Sequence, residues 1–185
     1  EDAWTFGGNL TYYMPFGASS NTYISFDYFR TQFVQQMVVD YEHFANTIDF
    51  YALDGNRSYT DNFQLDFSVD PIERFNITAT FRYTNAMIEL AGKGLVEKPM
   101  TSRFKGVLNL QYATNLNKWI FDFTASLNGS CRVYNFMEEL NADGTMTAAP
   151  KEGVARVYEN GRTPMYPLLY AQVTRRFKGW DVYIG

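Results

Sequence analysis

The chain is poor in the residues that most often carry chemistry. Among 185 residues there is one cysteine, Cys131, and one histidine, His43. A lone thiol forms no internal disulfide, and one cysteine with one histidine makes neither a zinc ligand set nor a thiol–imidazole nucleophile. No apolar run reaches the ~18 residues of a membrane-spanning helix. Basic charge is also short: 16 Lys and Arg against 20 Asp and Glu leave a formal charge of -4. A nucleic-acid binder needs a basic surface to displace counterions, so that class is set aside.

Aromatic residues, by contrast, are abundant: 14 Tyr, 16 Phe and 3 Trp make up 18% of the chain. Mean hydropathy is nevertheless -0.30, so the rings must be segregated from polar neighbours. The stretch "RFNITATFRY" (74–83) shows how. Phe75, Ile77, Ala79, Phe81 and Tyr83 alternate with Asn76, Thr78, Thr80 and Arg82, the period of two of a β-strand. Similar patterns cover 3–14, 21–40, 57–70, 75–91, 103–113, 118–131 and 166–177, and an eighth, cut short, covers 180–185. The six prolines are read as lying between these runs. No helical period is sustained, which predicts an all-β, antiparallel chain.

The connections alternate in length. Segments 15–20, 71–74, 114–117 and 178–179 are short; 41–56, 92–102 and 132–165 are long and read as solvated and turn-rich. In an up-and-down meander, all the short connections then share one end and all the long ones the other, as in outer-membrane barrels. The apolar positions carry no charge: Phe63, Leu65, Phe67 and Val69; Phe104, Leu108, Leu110 and Tyr112; Trp119, Phe121, Phe123 and Leu127. The alternate positions, such as Gln64, Asp66, Thr78, Asn109, Asp122 and Thr124, are mixed polar. A soluble ligand-binding β-barrel with its rings packed inside shows the same alternation. The long strands, the sorted loops and the rings near the short turns (Tyr12, Phe75, Trp119, Trp180) favour a transmembrane barrel with apolar residues facing lipid. A polar face of small hydroxyls and amides suits a lumen wider than eight strands enclose.

Four stretches, "DYFRTQFVQQMVVDYE" (27–42), "LDGNRSYTDNFQLDFSVDPIERF" (53–75), "LVEKPMTSRFKGVLNLQYATNLNKWIFDFTASLNG" (95–129) and "PLLYAQVTRRFKGWDVYIG" (167–185), resemble the C-terminal barrel strands of TonB-dependent outer-membrane receptors of the Bacteroidetes type. The resemblance spans most of the chain except 132–165. It implies that residues 1–185 are part of one multi-pass outer-membrane domain, about eight strands of a barrel of about 22, with the last strand truncated. It also implies a plug and a TonB-contacting segment elsewhere in the protein, and active uptake of a scarce nutrient of the siderophore, haem or cobalamin class. The partners implied are outer-membrane lipid, TonB, the small-molecule ligand and a surface lipoprotein over the pore. No enzyme activity, cofactor or resident metal is implied. A complete small barrel with a structural or adhesive role is the alternative.

Other signals are weaker. Asp66, Asp70 and Asp122 share a face, but no nucleophile accompanies them. "LDGNRSY" (53–59) offers too few oxygen ligands for calcium. Asn9, Asn76 and Asn128 head glycosylation-type triplets inside or at the ends of strands. Ligand contact is assigned, by position near the long-loop rim and by aromatic or cationic chemistry, to Tyr41, His43, Tyr51, Tyr59, Arg132, Tyr134, Arg156 and Tyr158.

Overall fold

The computed structural model describes residues 2–18, 22–42, 46–55, 57–134, 138–140, 142–148 and 161–185. Eight strands carry the fold: β1 (Asp2–Met14), β2 (Thr22–Asp40), β4 (Tyr59–Ile72), β5 (Phe75–Leu90), β7 (Phe104–Ala113), β8 (Trp119–Asn128), β11 (Tyr166–Arg176) and β12 (Asp181–Ile184). They lie side by side in chain order, each antiparallel to the next. Two short strands, β3 (Asp49–Asp54) on β2 and β6 (Gly94–Glu97) on β5, bring the sheet to ten. Among the described residues the only helix is a 3-10 turn at Asn115–Asn117. The sheet is open, with β1 and β12 at its two ends.

The long connections are not the structureless loops that their turn residues suggest. Besides β3 and β6, a separate hairpin joins β9 (Glu138–Leu140) to β10 (Met146–Ala148), around a turn in which Thr145 donates from its N–H and hydroxyl to Asp143. Two prolines are also inside strands rather than between them. Pro71 falls where the β4–β5 register shifts, between Val69 and Ile72, and Pro167 is the second residue of β11. Both are places where a missing N–H is tolerated.

The register sets the two faces. Ile24–Phe67, Phe26–Leu65 and Tyr28–Phe63 are directly opposed across β2 and β4, as are Ile77–Leu110 and Ala79–Leu108 across β5 and β7. Among the described residues nothing packs on this apolar face: Phe26 is 45% exposed and Leu65 42%. The polar neighbours are the more sheltered, as with Ser25 at 7%. Among the described residues the buried apolar ones are few (Val38, Val69, Ala86, Leu90 and Val133), and 12322 Å² of surface is exposed, against about 9,100 Å² for a globular protein of this mass.

Hydrogen bonds knit the polar face. Asn9 donates to Ser25 and Asp27, Thr80 to Asp66, Asn76 to Asp70 and Asn109 to Asp122 and Thr124. Asp27, Asp66, Asp70 and Asp122 on this face therefore serve as acceptors in a side-chain lattice. Gly7 on β1 is opposite Phe29. A Cβ there would run into the Tyr28 carbonyl and the Phe29 ring, whereas one at Gly8 meets nothing. Gly7→Ala is accordingly predicted to cost about 1–3 kcal/mol through overpacking, and Gly8→Ala to gain up to about 1 kcal/mol. Urea titration of the refolded chain checks this; equal shifts for the two variants would refute the β1–β2 register.

Candidate functional site

The sheet divides along the strands into a band and a cap. In the band, the apolar face is closed at its upper edge by a row of rings in register, Tyr28–Phe63–Tyr83–Phe104. Tyr28 and Phe63 have ring centroids 4.7 Å apart, and Phe63 and Tyr83 6.3 Å. Near the short turns a second aromatic group holds Phe75 against Tyr112, Phe177 stacked on Trp180 at 4.3 Å, and Arg175 over Trp119 at 4.6 Å. From Phe75 to Tyr83 the rise is about 27 Å along the strand. Charge returns to this face one rung above the upper row. There Arg30 pairs with Asp61 at 3.2 Å and lies over the Tyr59 ring at 4.3 Å. The sequence reading noticed rings only near the short turns; the upper row needs the register to be seen.

Above the band, β2 and β5 run on, pair with β3 and β6, and carry a cap held by charge. Arg132 donates through both terminal nitrogens to Glu42, at 2.6 and 2.9 Å, and through Nε to the Glu97 carbonyl at 2.7 Å. Glu42 is only 3% exposed, and its carbonyl accepts from Lys93 at 2.6 Å. The Glu97 carboxylate is gripped by both terminal nitrogens of Arg162, at 2.8 and 2.9 Å, and by Arg103 at 2.8 Å. The hydrogen bonds from Arg162 hold the Glu97 carboxyl below its usual range despite its partial burial. Asp40 accepts from the Glu42 N–H and from the Tyr51 hydroxyl, which itself accepts from the Ala91 N–H. Burial is the main cause that raises the Tyr51 hydroxyl above its ordinary value.

The predicted rim residues separate into three groups. Tyr41 and Tyr134 come together, ring centroids 5.1 Å apart, on the wall of a half-open cavity of about 230 Å³. Arg132 and Tyr51 belong to the cap's bonding network rather than to that wall. Tyr59 sits apart, lower on β4 under Arg30. His43, Arg156 and Tyr158 lie outside the described residues. The sequence reading missed Gln36, Asp40, Leu90 and Lys98, which share the cavity with the two tyrosines. No local motif marks them, because three chain segments must fold together first. No group of three or more metal-ligating side chains is found among the described residues.

No model of a known protein family matches the chain, and no curated protein matches it.

Two outcomes follow from the cap's charges. Arg132→Ala removes the bidentate arginine from a buried carboxylate and should weaken the cap by about 3–5 kcal/mol. Hydrogen exchange at the Met100 N–H, which donates to the Arg132 carbonyl, reads the loss; unchanged protection would show that the pair does not hold the cap. For Glu97, the depressed carboxyl lends stability that is fully present above the ordinary glutamate value, about 4.3, and is lost as pH falls through the lower folded value. Acidification from about pH 5 to about pH 3 should therefore expose the Thr163 N–H, bonded to the Cys131 carbonyl. Glu97→Gln should remove that pH dependence.

Proposed function

We propose that this chain is part of the wall of an outer-membrane β-barrel that imports a scarce nutrient of the siderophore, haem or cobalamin class. In this reading uptake is energised through TonB and the cargo is not chemically changed. The observation that carries the proposal is the inverted exposure of one sheet: its large apolar side chains face outward uncovered, while their polar neighbours are sheltered and hydrogen-bonded. In water such a face is a liability; in hydrocarbon it is the requirement, provided every backbone group is paired within a closed ladder. The band runs about 27 Å along the strand, which at the 35–45° tilt of strands in such barrels spans about 19–22 Å of height, somewhat less than their apolar belt of about 25 Å. Aromatic groups at both edges fit the girdles at the two lipid–water boundaries. The import reading adds the resemblance in the sequence and a cap at the long-loop end where cargo would be met.

Leu108→Arg, mid-band on the apolar face, is predicted to cost about 2–4 kcal/mol in a bilayer refolding assay, while Asn109→Arg on the neighbouring polar position costs little. Equal penalties would contradict the orientation. The import reading itself is checked by deleting the gene and following uptake of a labelled ferric siderophore, haem and cobalamin with and without a protonophore. Loss of an energy-dependent uptake supports it. A protein that floats with the outer membrane while all three uptakes persist would favour the structural or adhesive barrel.

A further inference from the structure

The corner where β8, β11 and β12 meet at the short turns is basic in a chain that is acidic overall. Segments 114–119 and 174–182 hold Lys118, Arg175, Arg176 and Lys178 against a single carboxylate, Asp181, and Arg176 pairs with it at 3.4 Å. Arg175 differs from the others in its place. It is in register with Trp119 on one side and Val182 on the other, and it continues the outward apolar column of β11 through Val173, itself in register with Phe121 and Ile184. Its guanidinium lies over the Trp119 and Phe177 rings, 4.6 and 5.3 Å from their centroids. Among the described residues its side chain makes no hydrogen bond or ion pair. Trp180 stacks on Phe177, and Lys178 is exposed on the turn between them.

A guanidinium over aromatic rings keeps its N–H donors at its edge, in the fork that matches a phosphate. We propose that Arg175, with Lys178 of the adjoining turn, binds the phosphate of an anionic phospholipid whose acyl chains run along the rung of Phe121, Val173 and Ile184. The unpartnered cation calls for an anion, and arginine grips phosphate oxygens through paired N–H bonds. The surroundings call for a lipid rather than a free ion: Phe121, Val182 and Ile184 are exposed apolar neighbours, and tryptophans such as Trp119 and Trp180 favour the headgroup level. The surplus of cations at this corner selects against a headgroup that brings its own ammonium. The inference rests on the membrane reading and adds to it which lipid is held, and by which residues.

The test is native mass spectrometry of the full-length protein in detergent micelles, titrated with phosphatidylglycerol, with phosphatidylcholine of the same acyl chains, and with inorganic phosphate. Phosphatidylglycerol should bind about fivefold more tightly than phosphatidylcholine, the factor that one basic residue brings at an anionic membrane surface. Arg175→Gln should remove most of that preference, and Lys178→Gln, at an exposed turn position, part of it. Arg74→Gln makes the same charge change at the β4–β5 turn, where Arg74 is paired with Glu73, and should leave the preference intact. An unaltered β-sheet circular dichroism spectrum verifies that each variant is folded. Equal binding of the two lipids, or equal losses in Arg175→Gln and Arg74→Gln, would overturn the site and leave the membrane reading standing. Inorganic phosphate displacing the lipid at the lipid's own concentration would overturn the lipid assignment in favour of a simple ion site. Recovery of the protein in the aqueous phase on fractionation would remove the membrane reading, and this inference with it.

Discussion

The antiparallel backbone ladder is the interaction on which everything else in this chain depends. Because side chains alternate with a period of two, the register of each strand decides which residues meet on which face, and a one-residue slip would exchange the faces completely. The ladder here is continuous over the eight main strands. It is pinned from the side as well, by bonds such as Asn9 to Asp27 and Asn109 to Asp122. These contacts need not stabilise much in isolation, since an average hydrogen bond is worth about 1 kcal/mol net. Their weight lies in specificity: out of register, each would leave a carboxylate or amide facing an apolar neighbour.

The same period explains why the main sheet was legible in the sequence and the cap was not. Alternation over ten or more residues is a local signal, and the eight runs read from it correspond to the eight main strands, with ends differing by a few residues. The cap strands are too short for alternation to register: β6 has four residues, and β9 and β10 three each. β3, within "IDFYALDG", is a run of four apolar or aromatic residues between two aspartates and shows no alternation either. The cap's Arg132–Glu42 pair joins residues 90 apart in sequence, and no spacing rule reaches that far. Choosing rim residues by chemistry and position nevertheless placed Tyr41 and Tyr134 on one cavity wall. It could not separate them from Tyr51 and Arg132, whose polar atoms are consumed by structure.

Charge is distributed according to what each region can solvate. Within the band the apolar face carries none; charge returns with the Arg30–Asp61 and Arg57–Glu89 pairs above the ring row and Arg175 beside the short turns. Arg175 lies over Trp119 and Phe177, 4.6 and 5.3 Å from their centroids, a position from which a long side chain covers apolar surface while its charged head stays within reach of water. In the cap, Glu42 and Glu97 are each gripped by both terminal nitrogens of an arginine. Buried pairs of this kind contribute little net stability compared with apolar packing, but removing one partner is costly. They therefore act as locks that admit only one arrangement of segments distant in sequence.

How the polar face satisfies itself also bears on the proposed width of the barrel. In a narrow eight-stranded barrel the interior is just wide enough for side chains to fill it, so polar residues must find partners across the lumen. Here the bonds run along a strand or to the strand beside it: Thr80 to Asp66 joins β5 to β4, Asn109 to Thr124 joins β7 to β8, and Gln64 to Asp66 stays within β4. A lattice that closes on itself within the sheet needs nothing from the far side, so these strands can line a lumen too wide to be filled by their own side chains. That is the condition a sheet must meet if it is to line a space wider than its own side chains can fill.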